Sequence, residues 1–112
     1  MPRDYRIYAE DISEAIAKIN RYMKGLDRQT FSDDEKTFDA VVRNIEVIGE
    51  AVKKLPEHIR IQHPTVEWKK IAGVRDILIH EYFGIDVEII WDIIQNKLPA
   101  LEKEVSHIVA NP

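Results

Sequence analysis

The sequence predicts an all-α chain, and three observations carry that expectation. Apolar residues recur every three or four positions over most of the 112 residues, no segment alternates apolar and polar residues as a half-buried strand does, and helix-capping residues stand where the periodic pattern breaks. There are no repeats and no low-complexity tracts. The length is that of one domain, spanning 1–112, and the expected architecture is a bundle of four main helices plus a short extra one.

Taken in order, Tyr8, Ile12, Ala15, Ile16, Ile19 and Met23 lie at helical spacing and predict a first helix from about Asp4 to Lys24. Gly25 follows where a left-handed C-terminal cap belongs, and Gly25–Phe31 reads as a connection. Ser32-Asp33-Asp34-Glu35 has the form of a capping box. Its acids also suit the positive end of a helix. From there Phe38, Val41, Val42, Ile45, Ile48, Gly49, Val52 and Leu55 make one long apolar stripe, ended by Pro56. Gly49 inside that stripe costs about 1 kcal/mol relative to alanine, which points to close approach by another helix.

Pro56–His63 has room only for a short helix or turn. Thr65 is placed to cap the next helix, on which Trp68, Ile71, Val74, Leu78 and Tyr82 recur, and Gly84 marks its end. Asp86 caps a following helix carrying Ile89, Ile90, Ile93 and Ile94, with Trp91 off the main stripe. Pro99 sits in the first turn of a last helix bearing Leu101, Val105, Ile108 and Val109.

Composition narrows the function. The absence of cysteine excludes disulfides, thiolate metal sites and cysteine nucleophiles. The N-terminus has no apolar signal core, and no run approaches the roughly 18 apolar residues of a membrane span, so a cytoplasmic protein is expected. The net charge of −4 is unevenly spread: from Lys53 to His80 six Lys/Arg face three acids, a local +3 that leaves −7 for the remainder. Three of the four histidines (His58, His63, His80) share that window, although the spacing of His58 and His63 is poor for two ligands on one helical face.

Within it the stretch Trp68–Asp86 sets an arginine, an imidazole and a phenol among aliphatics, as Arg75-Asp76-x3-His80-x-Tyr82. A helix built only to bury one face has no use for that polar set. Asp76 lies one turn before His80, where a carboxylate fixes the imidazole tautomer and favours its protonated form. Arg75 is about 140° from His80 around a regular helix, so the two converge only at the helix edge or on a distorted helix.

The planar donor fork of arginine suits a phosphate, and histidine is the usual acid/base. Together they suit phosphodiester cleavage in which the imidazole takes the proton of a ribose 2′-hydroxyl and the guanidinium stabilises charge building on phosphorus. That reaction needs neither a metal nor a cofactor. It does want both a base and an acid, which a two-fold dimer supplies from two copies of His80. A second stripe on the long helix, Arg43, Glu46, Val47 and Glu50, reads either as a solvated salt-bridged face or, through Arg43 and Glu46, as support for the Arg75–Tyr82 segment.

Arg75-x4-His80-x-Tyr82 resembles the signature of HEPN-domain ribonuclease toxins of the HepT type. The flanks resemble that family too: Arg43-Asn44-Ile45-Glu46 and Ile48-Gly49-Glu50-Ala51 on the long helix, Trp68, Ile71 and Gly73 leading in, and Tyr82-Phe83-Gly84-Ile85-Asp86 leading out. The likeness runs from about Asp4 to Val109. It implies an HEPN-type helical homodimer whose two Arg75-x4-His80 segments meet in an interface cleft and cleave RNA without metal. It also implies a nucleotidyltransferase antitoxin as partner, which transfers AMP to the tyrosine at the position of Tyr82. The family often has asparagine after the arginine, where this chain has Asp76, a carboxylate close to the expected phosphate site. The rival expectation is a non-catalytic helical dimer that binds or regulates the nucleotidyltransferase.

Overall fold

The computed structural model describes residues 4–80 and 85–111, with side chains as far as Leu78 and again from Ile85. All the regular structure among the described residues is helical: α1 (Tyr5–Met23), α2 (Arg28–Asp33), α3 (Glu35–Lys54), α4 (Glu57–Ile61), α5 (Trp68–His80), α6 (Val87–Asp92) and α7 (Leu98–Ala110), with a π turn (Ile93–Lys97) joining the last two. The all-α expectation holds. None of these helices is long and apolar enough to cross a membrane.

The middle of the molecule is α3, which packs against α1 on one side and α5 on another, while α7 lies along α1. Its stripe of Val41, Ile45, Ile48 and Val52 is buried against Ile12, Ile16 and Ile19 of α1, and the core continues through Ile90, Leu101, Val105 and Ile108. Burying one such aliphatic side chain is worth about 1.5–3 kcal/mol. The long helices are therefore held by their apolar faces, with propensity a minor contribution.

Local signals set the ends. Asp4 accepts from the Arg6 N–H at 2.9 Å to open α1, and Gly25, with φ of 81°, closes it in the left-handed conformation that the sequence called for. Asp86 caps α6 as expected, accepting from the Glu88 N–H at 2.9 Å.

Three boundaries differ from the sequence reading. The stretch read as a connection contains α2: Asp27 caps it, accepting from the Thr30 N–H at 2.8 Å while its own N–H donates to the Thr30 hydroxyl at 2.9 Å. Phe31 is thereby fully buried, tilted against Phe38 and Trp91 with ring centroids 5.3 and 6.2 Å away. The capping box expected at Ser32–Glu35 does not form, because Ser32 belongs to α2; Asp34 caps α3 instead, taking both the N–H and the hydroxyl of Thr37. α5 begins at Trp68, three residues after Thr65, whose hydroxyl donates to Glu104 on α7.

The C-terminal helices also form one continuous ridge. Pro99 has no N–H for the carbonyl four residues back, and its ring crowds that carbonyl; the π turn widens the backbone just before it and lets α6 run into α7.

Candidate active site

Trp68 fixes where α5 starts. Its indole N–H is shared between the carbonyls of Arg60 (3.1 Å) and His63 (3.0 Å), which ties the α4–α5 turn to the first residue of the helix. Trp68, Ile71 and Leu78 then face the core, and Arg75 is carried against α3.

The approach at that point is close enough to require glycine. A Cβ on Gly49 would lie 2.7 Å from the Arg75 Cβ and 3.5 Å from the Ile71 carbonyl oxygen, so the glycine in the apolar stripe does mark where another helix arrives. Arg75 forms an ion pair with Glu50, the residue after that glycine, with Nε 2.7 Å from Oε2. The pair stays partly solvated, at 30% and 44% side-chain exposure.

The other charges divide between these two groups. Lys54 approaches Glu50 Oε1 at 3.6 Å and sits 5.7 Å from the centre of the Tyr8 ring. Asp76 accepts from Lys53 Nζ at 2.9 Å, while its distance to the Arg75 guanidinium is 3.8 Å. Arg43, 74% exposed, pairs with Glu46 at 3.6 Å.

Together these side chains border a groove of about 360 Å³ walled by α1, α3 and α5 and lined by Tyr8, Asp11, Arg43, Glu46, Val47, Glu50, Ala51, Lys54 and Arg75. Three cations (Arg43, Lys54, Arg75) are matched there by three carboxylates (Asp11, Glu46, Glu50), so the groove is electrically balanced rather than basic. Arg43 and Glu46 pair with each other and border the same groove as Arg75.

His80 is the last residue of α5, five after Arg75, and its side chain lies outside the described residues, as does Tyr82 with Phe83 and Gly84. The proposed Asp76–His80 contact falls outside them too. The other two histidines of the basic window are employed elsewhere: His58 meets the Tyr5 ring edge-on at 6.4 Å, and His63 Nδ1 is 2.7 Å from Glu104 Oε2. That bond, with the Thr65 hydroxyl, holds the Glu104 carboxyl below the usual glutamate range. The site member that sequence reasoning passed over is Glu50. It stood in the charged stripe beside Gly49, and the glycine was the available hint that its neighbour would meet another helix.

The family described as HepT-like ribonuclease matches residues 12–108 of the chain. A protein of Methanocaldococcus jannaschii named "Putative RNase MJ0127" is 47% identical over 110 residues, covering 97% of this chain and 91% of that protein. A "Putative RNase" of Caldanaerobacter subterraneus subsp. tengcongensis is 45% identical, covering 93% of each. A "Probable ribonuclease HepT" of Thermococcus cleftensis is 40% identical, covering 91% of this chain and 93% of that protein. No solved structure matches.

Proposed function

Since the chain belongs to the HepT-like ribonuclease family, we propose that it is an endoribonuclease acting as the toxin of a toxin–antitoxin pair, and that Arg75 and His80 carry the cleavage. The observation that supports this best is the placement of Arg75, a guanidinium kept at the edge of an open groove by packing of α5 on α3, five residues before a histidine at the helix end.

The chemistry is metal-independent transesterification. His80 of one copy removes the 2′-hydroxyl proton, the 2′-oxygen attacks phosphorus, and the bond to the 5′-oxygen breaks as the partner's His80 returns a proton to it. The products are a 2′,3′-cyclic phosphate and a free 5′-hydroxyl. Arg75 neutralises the charge that accumulates on the non-bridging phosphate oxygens. A homodimer supplies the two imidazoles, so a monomer should be inactive or nearly so. Tyr82, two residues after His80, is the acceptor for AMP from the nucleotidyltransferase antitoxin. The added nucleotide places bulk and negative charge where an RNA phosphate must bind.

Asp76 and the balanced charge of the groove favour a second reading, a non-catalytic dimer that binds and regulates the nucleotidyltransferase. One experiment separates the two: cleavage of RNA by purified chain in excess EDTA, after mass spectrometry has shown Tyr82 free of AMP. Cleavage by the wild type that is lost in Arg75→Ala and His80→Ala, with both variants folded and dimeric, establishes the nuclease. No cleavage of any cellular RNA by the unmodified dimer overturns it in favour of the binding module.

A further inference from the structure

We propose that Glu50 is a positioning residue for Arg75, holding the guanidinium from its Nε side so that the terminal amino groups are kept for an RNA phosphate; the inference rests on the ribonuclease reading above.

A guanidinium carries five N–H donors in a rigid plane, one on Nε and four on the two terminal nitrogens. Glu50 sits against Nε, with its oxygen 2.7 Å away. The other described carboxylate within 4 Å of the group is Asp76, whose oxygen is 3.8 Å from a terminal nitrogen and beyond hydrogen-bonding distance. That leaves the end of the fork, the part that grips phosphate bidentately, without a hydrogen-bonding partner among the described residues, on a side chain that lines the groove.

The surroundings keep the two carboxylates apart. Lys53 takes the nearer oxygen of Asp76 at 2.9 Å and so draws it off the guanidinium. Lys54 lies 3.6 Å from the second oxygen of Glu50. The helix contact at Gly49 fixes the distance over which the Arg75–Glu50 pair must reach.

Stability alone is a poor reason for this pair. Ion pairs this exposed contribute little to folding. Orientation is a better one, since loss of about 1 Å in the placement of a catalytic group can cost on the order of a hundredfold in rate.

The test compares wild type, Glu50→Ala and Glu50→Gln in steady-state cleavage of one RNA in EDTA, with thermal unfolding and dimer mass measured alongside. Glu50→Ala should lower kcat by about 10- to 100-fold with little change in KM and no loss of fold or dimer. Glu50→Gln, whose amide oxygen can still face Nε, should recover a large part of that loss. In an Arg75→Lys background, which lacks the guanidinium that Glu50 pairs with, Glu50→Ala should cost far less than in the wild type. A wild-type rate in Glu50→Ala, or an equal loss in both backgrounds, overturns the positioning role while leaving the nuclease intact. A faster Glu50→Ala overturns it too, by making the carboxylate a competitor of the phosphate. A wild type that cleaves nothing overturns the nuclease reading and this proposal with it.

Discussion

Gly49→Ala and Gly73→Ala are the same chemical change in two helices, yet only the second should stabilise the chain. Replacing a mid-helix glycine by alanine normally gains about 1 kcal/mol from the lower freedom of the unfolded chain. At Gly73 no atom of the described residues beyond its own turn of helix lies within 4 Å of the new methyl group, so that gain should be realised in full. At Gly49 the methyl group would be 2.7 Å from the Arg75 Cβ, against an ordinary carbon–carbon contact of about 3.5–4.0 Å. The obstructing atom is attached directly to the α5 backbone and cannot rotate away, so α5 must retreat by roughly 1 Å. Overpacking of that kind costs about 1–3 kcal/mol and leaves Gly49→Ala between neutral and about 2 kcal/mol less stable than the wild type. The two variants should therefore differ by about 1–3 kcal/mol, which at about 4 °C per kcal/mol for a chain of this size is easily resolved. Urea unfolding at matched protein concentration measures the difference directly. Gly49→Ala should also reduce RNA cleavage out of proportion to its stability, because the retreat carries the guanidinium with it. Equal stabilisation by both substitutions would refute the close approach of α3 and α5 and the role assigned to it.

Other consequences can be checked on the same material. Phe31→Ala, which empties the aromatic cluster with Phe38 and Trp91, should cost about 3–5 kcal/mol in chemical denaturation. Trp68→Phe keeps the ring packing but removes the N–H shared by two carbonyls, and should destabilise by about 1–3 kcal/mol with faster hydrogen exchange at the start of α5. Glu104 is held below its ordinary pKa in the folded chain, so its contribution is complete above about pH 4.5 and is lost as pH falls through the depressed folded value. A Glu104→Gln variant should accordingly lose part of the acid limb of the stability profile, and an unchanged profile would rule out the His63–Glu104 bond as its source.

What could be read from sequence follows the length of the signal. α1, α3 and α5 bury stripes repeated over several turns, and their existence and inward faces were plain. α2 buries the single residue Phe31, too little to establish a period, and the acids and hydroxyls between Asp27 and Thr37 offered several equivalent caps. Pro99 does stand in the first turn of α7, but the π turn that joins it to α6 left no mark in the apolar pattern. In the site, Arg75 stood out as a charge among aliphatics. Its carboxylate partner did not, because choosing Glu50 over Glu46 depends on how far α5 is rotated against α3, a quantity absent from either helix alone.

That rotation is metered from Trp68. Arg75 lies seven residues on, and seven steps of 100° return it to within about 20° of the azimuth of the indole. The anchored tryptophan therefore acts as the zero of a protractor on which the guanidinium is set. Substitutions between the two leave the scale intact, whereas adding or removing one residue there would turn Arg75 by about 100°, swinging it off Glu50 and carrying the buried Leu78 off the core with it. Seven inserted residues would instead restore the bearing and displace the guanidinium by about 10 Å along the axis. In this chain the spacing from Trp68 to Arg75 is as much a part of the site as the side chains at either end.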